Sequence, residues 1–143
     1  MIRKWPICTL TVLLYMVLLC SIPAYAVEAR ADDRIMYNTV TLSKSSNGDL
    51  SIFFSVQATG KMDVIGASRV EIQRNTLTGW VTEYTFTPDN APTIQAKDKV
   101  QHSTTLTYSP LFAEKVYRAI VTIYVKDTSG SSTKQLTSKT IIA

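Results

Sequence analysis

From residue 50 to 58, apolar and polar residues alternate with a period of two. Leu50, Ile52, Phe54, Val56 and Ala58 fall on one phase, and Ser51, Phe53, Ser55 and Gln57 on the other. Successive side chains of a strand point to opposite faces, so this pattern builds a sheet with one buried face and not a helix with one apolar stripe. The same period returns at Val70 and Ile72, set against Arg69, Glu71 and Gln73. It is longest over 116–126: Tyr117, Ala119, Val121, Ile123 and Val125 form an inward set, and Val116, Arg118, Ile120, Thr122, Tyr124 and Lys126 an outward set. After residue 33 no apolar run has the i, i+3, i+4 spacing that a helix needs.

Turn residues cut the chain into short pieces. Strands are predicted over 34–43, 49–59, 67–74, 80–87, 103–108, 116–126 and 133–142. Asn47-Gly48 supplies a turn that tolerates positive φ, 60–66 reads as a connection, and 75–79 and 127–131 read as turns. The stretch 88–100, with Pro88 and Pro92, reads as a long loop holding at most a short edge strand at 93–97. About seven short strands with turns between them and no helices predict an all-β chain folded as an antiparallel β-sandwich, with a small barrel as the alternative.

The first 26 residues have a different character. Arg3 and Lys4 precede an apolar run over 7–22, Pro23 ends it, and Ala24 and Ala26 place small residues where signal peptidase reads. This is the order of a secretory signal peptide, cut after Ala26. The run falls short of the roughly 20 residues of a membrane-spanning helix. Cys20 follows the bulky Leu19, where a lipoprotein signal carries a small residue, so lipidation is not expected. Residues 27–33 read as a polar leader and 34–143 as one domain. The C-terminal SKTIIA shows no wall-sorting pattern, and the chain is expected to be released outside the cell. Both cysteines, Cys8 and Cys20, would leave with the signal, so the domain must hold together without a disulfide. The formal charge of +4 falls to +2 when Arg3 and Lys4 are removed. With no Lys/Arg cluster, nothing points to nucleic acid or to an anionic membrane.

Tyr117-Arg118-Ala119 carries a resemblance. Immunoglobulin-like domains place a tyrosine near the start of their sixth strand, two residues before an inward cysteine, with its hydroxyl bonded back to the preceding corner. Tyr117 stands in that slot as a structural corner residue, and Ala119 stands where the cysteine would be. The chain also resembles a family of small secreted single-domain proteins of anaerobic Gram-positive bacteria. The residues concerned are Ala58-Thr59-Gly60, Ile65-Gly66-Ala67 leading into Val70-Glu71-Ile72, Trp80 after a turn, and 117–122 followed by a Ser-Gly turn. The resemblance implies an immunoglobulin-like or fibronectin III-like sandwich and transfers no functional residue.

Chemistry is sparse. His102, close to Asp98 and Ser103 in sequence, is the single histidine, and no GxSxG pattern accompanies it. Asp63, Glu71, Glu83, Asp98 and Glu114 are scattered without the spacing of a paired-carboxylate site. Asp127 with Gly130, and Asp32-Asp33, are too thin for a calcium site that takes 6–8 oxygens. No catalytic residue, cofactor or metal is implied. Binding surfaces are left: the outward Ile120 and Tyr124, with Tyr84 and Trp80, form the candidate face. Trp80 has a second reading, favoured on sequence, as the large anchor of the core. The expected function is that of a non-catalytic extracellular module contacting a protein or a glycan, with a carbohydrate-binding module as the alternative and a small hydrolase behind both.

Overall fold

The alternating segment at 50–58 lies inside a longer strand, β2 (Leu50–Met62), and the segment at 116–126 becomes β7 (Val116–Asp127). Their inward residues meet. Leu50, Ile52, Phe54 and Val56 from β2 and Ala119, Val121, Ile123 and Val125 from β7 are fully excluded from solvent. Each of these Leu, Ile, Val and Phe side chains contributes roughly 1.5–3 kcal/mol when buried, and Ala119 less. The computed structural model describes residues 34–109 and 111–143. The signal segment with Cys20 and the cleavage residues Ala24 and Ala26, the leader 27–33 and the Asp32-Asp33 pair lie outside the described residues.

The remaining strands are β1 (Ile35–Lys44), β3 (Val64–Thr76), β4 (Gly79–Phe86), β5 (Gln95–Ala96), β6 (Lys99–Tyr108), β8 (Gly130–Thr137) and β9 (Ile141–Ile142), with a 3-10 turn at Pro92–Ile94. One sheet has the order β1-β2-β6. The other has the order β4-β3-β7-β8, with β5 added beside β3 and β9 beside β7. Every pairing is antiparallel. The chain is thus an all-β immunoglobulin-like sandwich. In the seven-stranded constant-type arrangement the fourth strand joins the first, second and fifth; here β4 pairs with β3 instead. Among the described residues the sheet opposite it therefore has three strands.

Three boundaries differ from the sequence reading. Residues 60–66 are not a loop: only Asp63 separates β2 from β3, and Met62 pairs with Lys99 while Ile65 pairs with Val125. The chain crosses from one sheet to the other there. The predicted strand at 103–108 starts at Lys99, because β2 partners it as far as Gln101 and again, past an irregularity, at Lys99. The last strand begins at Gly130 and breaks near Ser138. The Ser138 hydroxyl accepts from the Ala119 N–H at 2.9 Å, and the Ser138 N–H donates to the Ala119 carbonyl at 2.9 Å. That side chain stands in for ladder bonds between β8 and β9.

Gly66 explains the glycine in the crossing. It holds φ +146°, and β5 passes so close that a Cβ would collide with the Ile94 carbonyl and stand 2.8 Å from the Gln95 Cα. Tyr117 is 1% exposed, and its hydroxyl accepts from the Phe112 N–H at 2.9 Å, tying the loop before β7 to the core.

Gly66→Ala should cost about 3 kcal/mol or more, because backbone strain and overpacking add. Equilibrium denaturation should show the midpoint falling, whereas Gly60→Ala, with open space around it, should be mild. Tyr117→Phe keeps the ring and orphans the Phe112 N–H, so it should cost about 1–2 kcal/mol in the same assay.

Candidate functional site

The outward residues of β7 lie in the middle of the larger sheet. Arg118 is paired with Gln73, Ile120 with Glu71, Thr122 with Arg69 and Tyr124 with Gly66, all on β3. On the other side Ile120 meets Thr137 and Tyr124 meets Thr133 of β8. Directly opposed residues share a face, so this register assembles one continuous outer surface. Tyr124 stands beside a position that has no side chain, Gly66.

Trp80 belongs to this surface and not to the core, which corrects the favoured sequence reading. It pairs with Asn75, two residues along β3 from the outward Gln73, and it is half-buried. The Arg118 guanidinium lies 4.1 Å from the Trp80 ring centroid. The Arg118 Nε donates to Gln73 Oε1 at 2.9 Å, and Gln73 Nε2 donates to Thr82 Oγ1 at 3.3 Å. Trp80 can face outward because Phe54, Leu50 and Tyr117 already supply the large buried side chains. A cation over an indole gains about 0.5–1 kcal/mol at an exposed site, so Arg118 is held in place before any partner arrives. Next to it, the Arg69 guanidinium is 3.1 Å from a Glu71 carboxylate oxygen. Ile120 and Tyr124 are half-buried, as is Trp80.

Tyr84 is on the other side. Its partner on β3 is the fully buried Ile72, and its ring lies 4.8 Å from Phe86 and 5.7 Å from Tyr108 of the facing sheet. Tyr84 therefore helps close the edge that the three-stranded sheet leaves open, and the structure does not bring it together with Ile120, Tyr124 and Trp80. A bulge at β4 leaves Glu83 beside it, where Glu83 Oε1 accepts from Arg74 Nε at 2.6 Å. Burial, and then the Glu83 carboxylate, push the Tyr108 phenol above its ordinary value.

The other candidates have structural partners. His102 Nε2 is 2.8 Å from the Thr93 carbonyl, and its ring meets Phe54 edge-on at 6.2 Å, so it pins the 3-10 turn to β6. Glu71 is ion-paired with Arg69, Glu83 with Arg74 and Asp98 with Lys61. Asp63 lies exposed at the crossing, and Glu114 lies exposed in the loop before β7. Among the described residues, no group of three His, Cys, Asp or Glu could hold a metal ion, and no helix is long and apolar enough to cross a membrane.

Asp127 is a turn residue. Its Oδ1 accepts from the Ser129 and Gly130 N–H groups and from the Ser129 hydroxyl, and its Oδ2 accepts from Arg34 Nε at 3.0 Å. These bonds, the Ser129 hydroxyl first and Arg34 next, hold its carboxyl at about 2. Arg34 also donates to Ser129 Oγ at 2.7 Å, which fastens the entry of the chain to the β7–β8 turn.

Sequence reasoning missed two things. Arg118 is on the expected outward phase, but its stacking on Trp80 depends on the β3–β4 register. Phe53 is among the aromatics that the sequence offers for an exposed surface, but Tyr37, exposed on β1, is not, and it joins Phe53 on the outer face of the smaller sheet. No protein-family model matches the chain, and no curated protein is significantly similar to it.

The Asp127 carboxyl is held at about 2 in the folded state, so its stabilising effect is present above the ordinary carboxyl range and is lost as pH falls through about 2. The melting temperature of the wild type should exceed that of Asp127→Asn at pH 5–7, and the gap should narrow as pH falls through about 2.

Proposed function

We propose that the protein is an exported, non-catalytic binding domain that meets a protein partner with the outer face of β4-β3-β7-β8. One observation carries the reading: Trp80, Arg118 and Gln73 form an ordered cluster on the same face as Ile120 and Tyr124. Trp, Tyr and Arg are the residues that most often dominate protein–protein binding energy. An arginine already fixed by stacking and a hydrogen bond loses less freedom on association. Arg118, Gln73, Ile120 and Tyr124 sit on the two central strands, and Trp80 flanks them on the edge strand β4. Arg69 and Glu71, ion-paired with each other, lie on β3 between Arg118 and Tyr124, so polar groups are interleaved with the aromatic residues of this face. The basic-apolar-small order of residues 1–26 supports export.

The test uses residues 27–143, wild type and the Trp80→Ala/Tyr124→Ala double variant, as baits for surface and secreted proteins of surrounding cells. Melting curves confirm that both are folded. A protein retained at least tenfold better by the wild type supports the reading. Equal retention by the two baits, or none by either, contradicts it.

A further inference from the structure

The opposite outer face, on β1-β2-β6, has a different chemistry. Its central rungs across the three strands are Thr41–Phe53–Thr105 and Thr39–Ser55–Ser103. The flanking rungs are Ser43–Ser51–Thr107 and Tyr37–Gln57–Gln101. These four rungs contain hydroxyls, carboxamides and two aromatic rings, and no charged residue. The other sheet carries Arg69, Glu71, Arg118 and Lys126 on its outer positions, so absence of charge is a property of this one face. Phe53 is 38% exposed in its middle and Tyr37 is 55% exposed at one end. One rung lies between theirs, a separation of about 14 Å along the strands at 3.4 Å per residue.

These features choose between ligand classes. An anionic polymer or headgroup needs positive charge, and the four rungs have none. Protein interface cores favour Arg and Met along with aromatics and are depleted in Ser, whereas the four rungs hold neither Arg nor Met and are rich in Ser and Thr; Met36 is exposed beyond them, at the bulge beside Tyr37. An uncharged polysaccharide fits. A sugar ring has an apolar C–H face that can lie on an exposed aromatic ring, and its hydroxyls both donate and accept, as do the Ser and Thr hydroxyls around it. Because the ligand is neutral, the absence of charge on the face avoids stripping water from any ion when it binds. We propose that the outer face of β1-β2-β6 binds a neutral, extended polysaccharide, with Phe53 and Tyr37 as the two stacking platforms. This rests on the reading of the chain as an exported binding domain and assigns it a second surface, separate from that of Trp80 and Tyr124.

Affinity electrophoresis and pull-down on residues 27–143 test it, with cellulose, xylan, β-1,3-glucan, mannan and starch as uncharged probes and pectate as the charged control. The wild type should be retarded by at least one uncharged probe, with little change between 50 and 500 mM salt. Phe53→Ala and Tyr37→Ala should each weaken retardation about tenfold, and Thr41→Lys should weaken it as well. Melting curves should show every variant folded at the assay temperature, with Phe53→Ala melting below the wild type because most of that ring is covered. The Trp80→Ala/Tyr124→Ala variant should bind sugar normally. No retardation by any uncharged probe would overturn the proposal and leave the protein-binding reading standing. Retention that survives Phe53→Ala but is lost in the Trp80→Ala/Tyr124→Ala variant would also overturn it, placing the sugar site on the other sheet.

Discussion

Everything in this domain depends on the contact between the inward faces of β2 and of the β3–β7 pair. The described residues contain no cysteine, so no covalent link joins the two sheets. Leu50, Ile52, Phe54 and Val56 meet Ile65, Val70, Ile72, Val121 and Ile123 in one apolar layer. The strands at the margins add less: the inward residues of β8 include the buried Ser132 and the half-buried Lys134 and Leu136. An inward-pointing lysine on an edge strand also discourages pairing with other chains. The core thus runs through the centre of the sandwich and thins toward its edges.

That distribution frees the two outer faces. The buried volume is filled by β2, β3 and β7, with Tyr117 locking the corner, so Trp80 is not needed inside and can lie outward under Arg118. The three-stranded sheet has its own inner positions satisfied by Phe54 and Leu106, which leaves its outer rungs to small polar side chains around Phe53. Gly66 allows both sheets to come from one nearly unbroken strand, because the chain turns from β2 into β3 at Asp63 while β5 crosses the glycine without a Cβ in the way. Two faces of opposite chemistry then sit back to back on one rigid layer: one aromatic and charged, the other neutral and hydroxylated.

The central strands were legible in the sequence because alternation alone determines which residues are buried. Every inward residue of 50–58 and 117–125 is buried, and of the outward ones only Ser55 is buried as well. The outward placement of Ile120 and Tyr124 follows from the same rule. Residues 60–66 were not legible, since Gly60 and Gly66 have the composition of a loop, and their strand character comes from Lys99 and Val125, distant in sequence. Trp80 and Tyr84 were not separable either. They are four residues apart, which in a regular strand would put them on one face, but the bulge at Glu83 turns Tyr84 inward. The neutral face could not be assembled from the sequence at all, because its rungs exist only once β1 and β6 are in register with β2.

Native-state hydrogen exchange of residues 27–143 under reducing conditions, followed amide by amide through low denaturant, tests the central claim most directly. If the layer between β2 and the β3–β7 pair supports the whole domain, amides of those three strands should exchange only through global unfolding, with one shared free energy. Those of β1, β4 and β8 should open earlier and at lower cost. Protection that is greatest in β4 or β8, or β2 opening independently of β7, would contradict it.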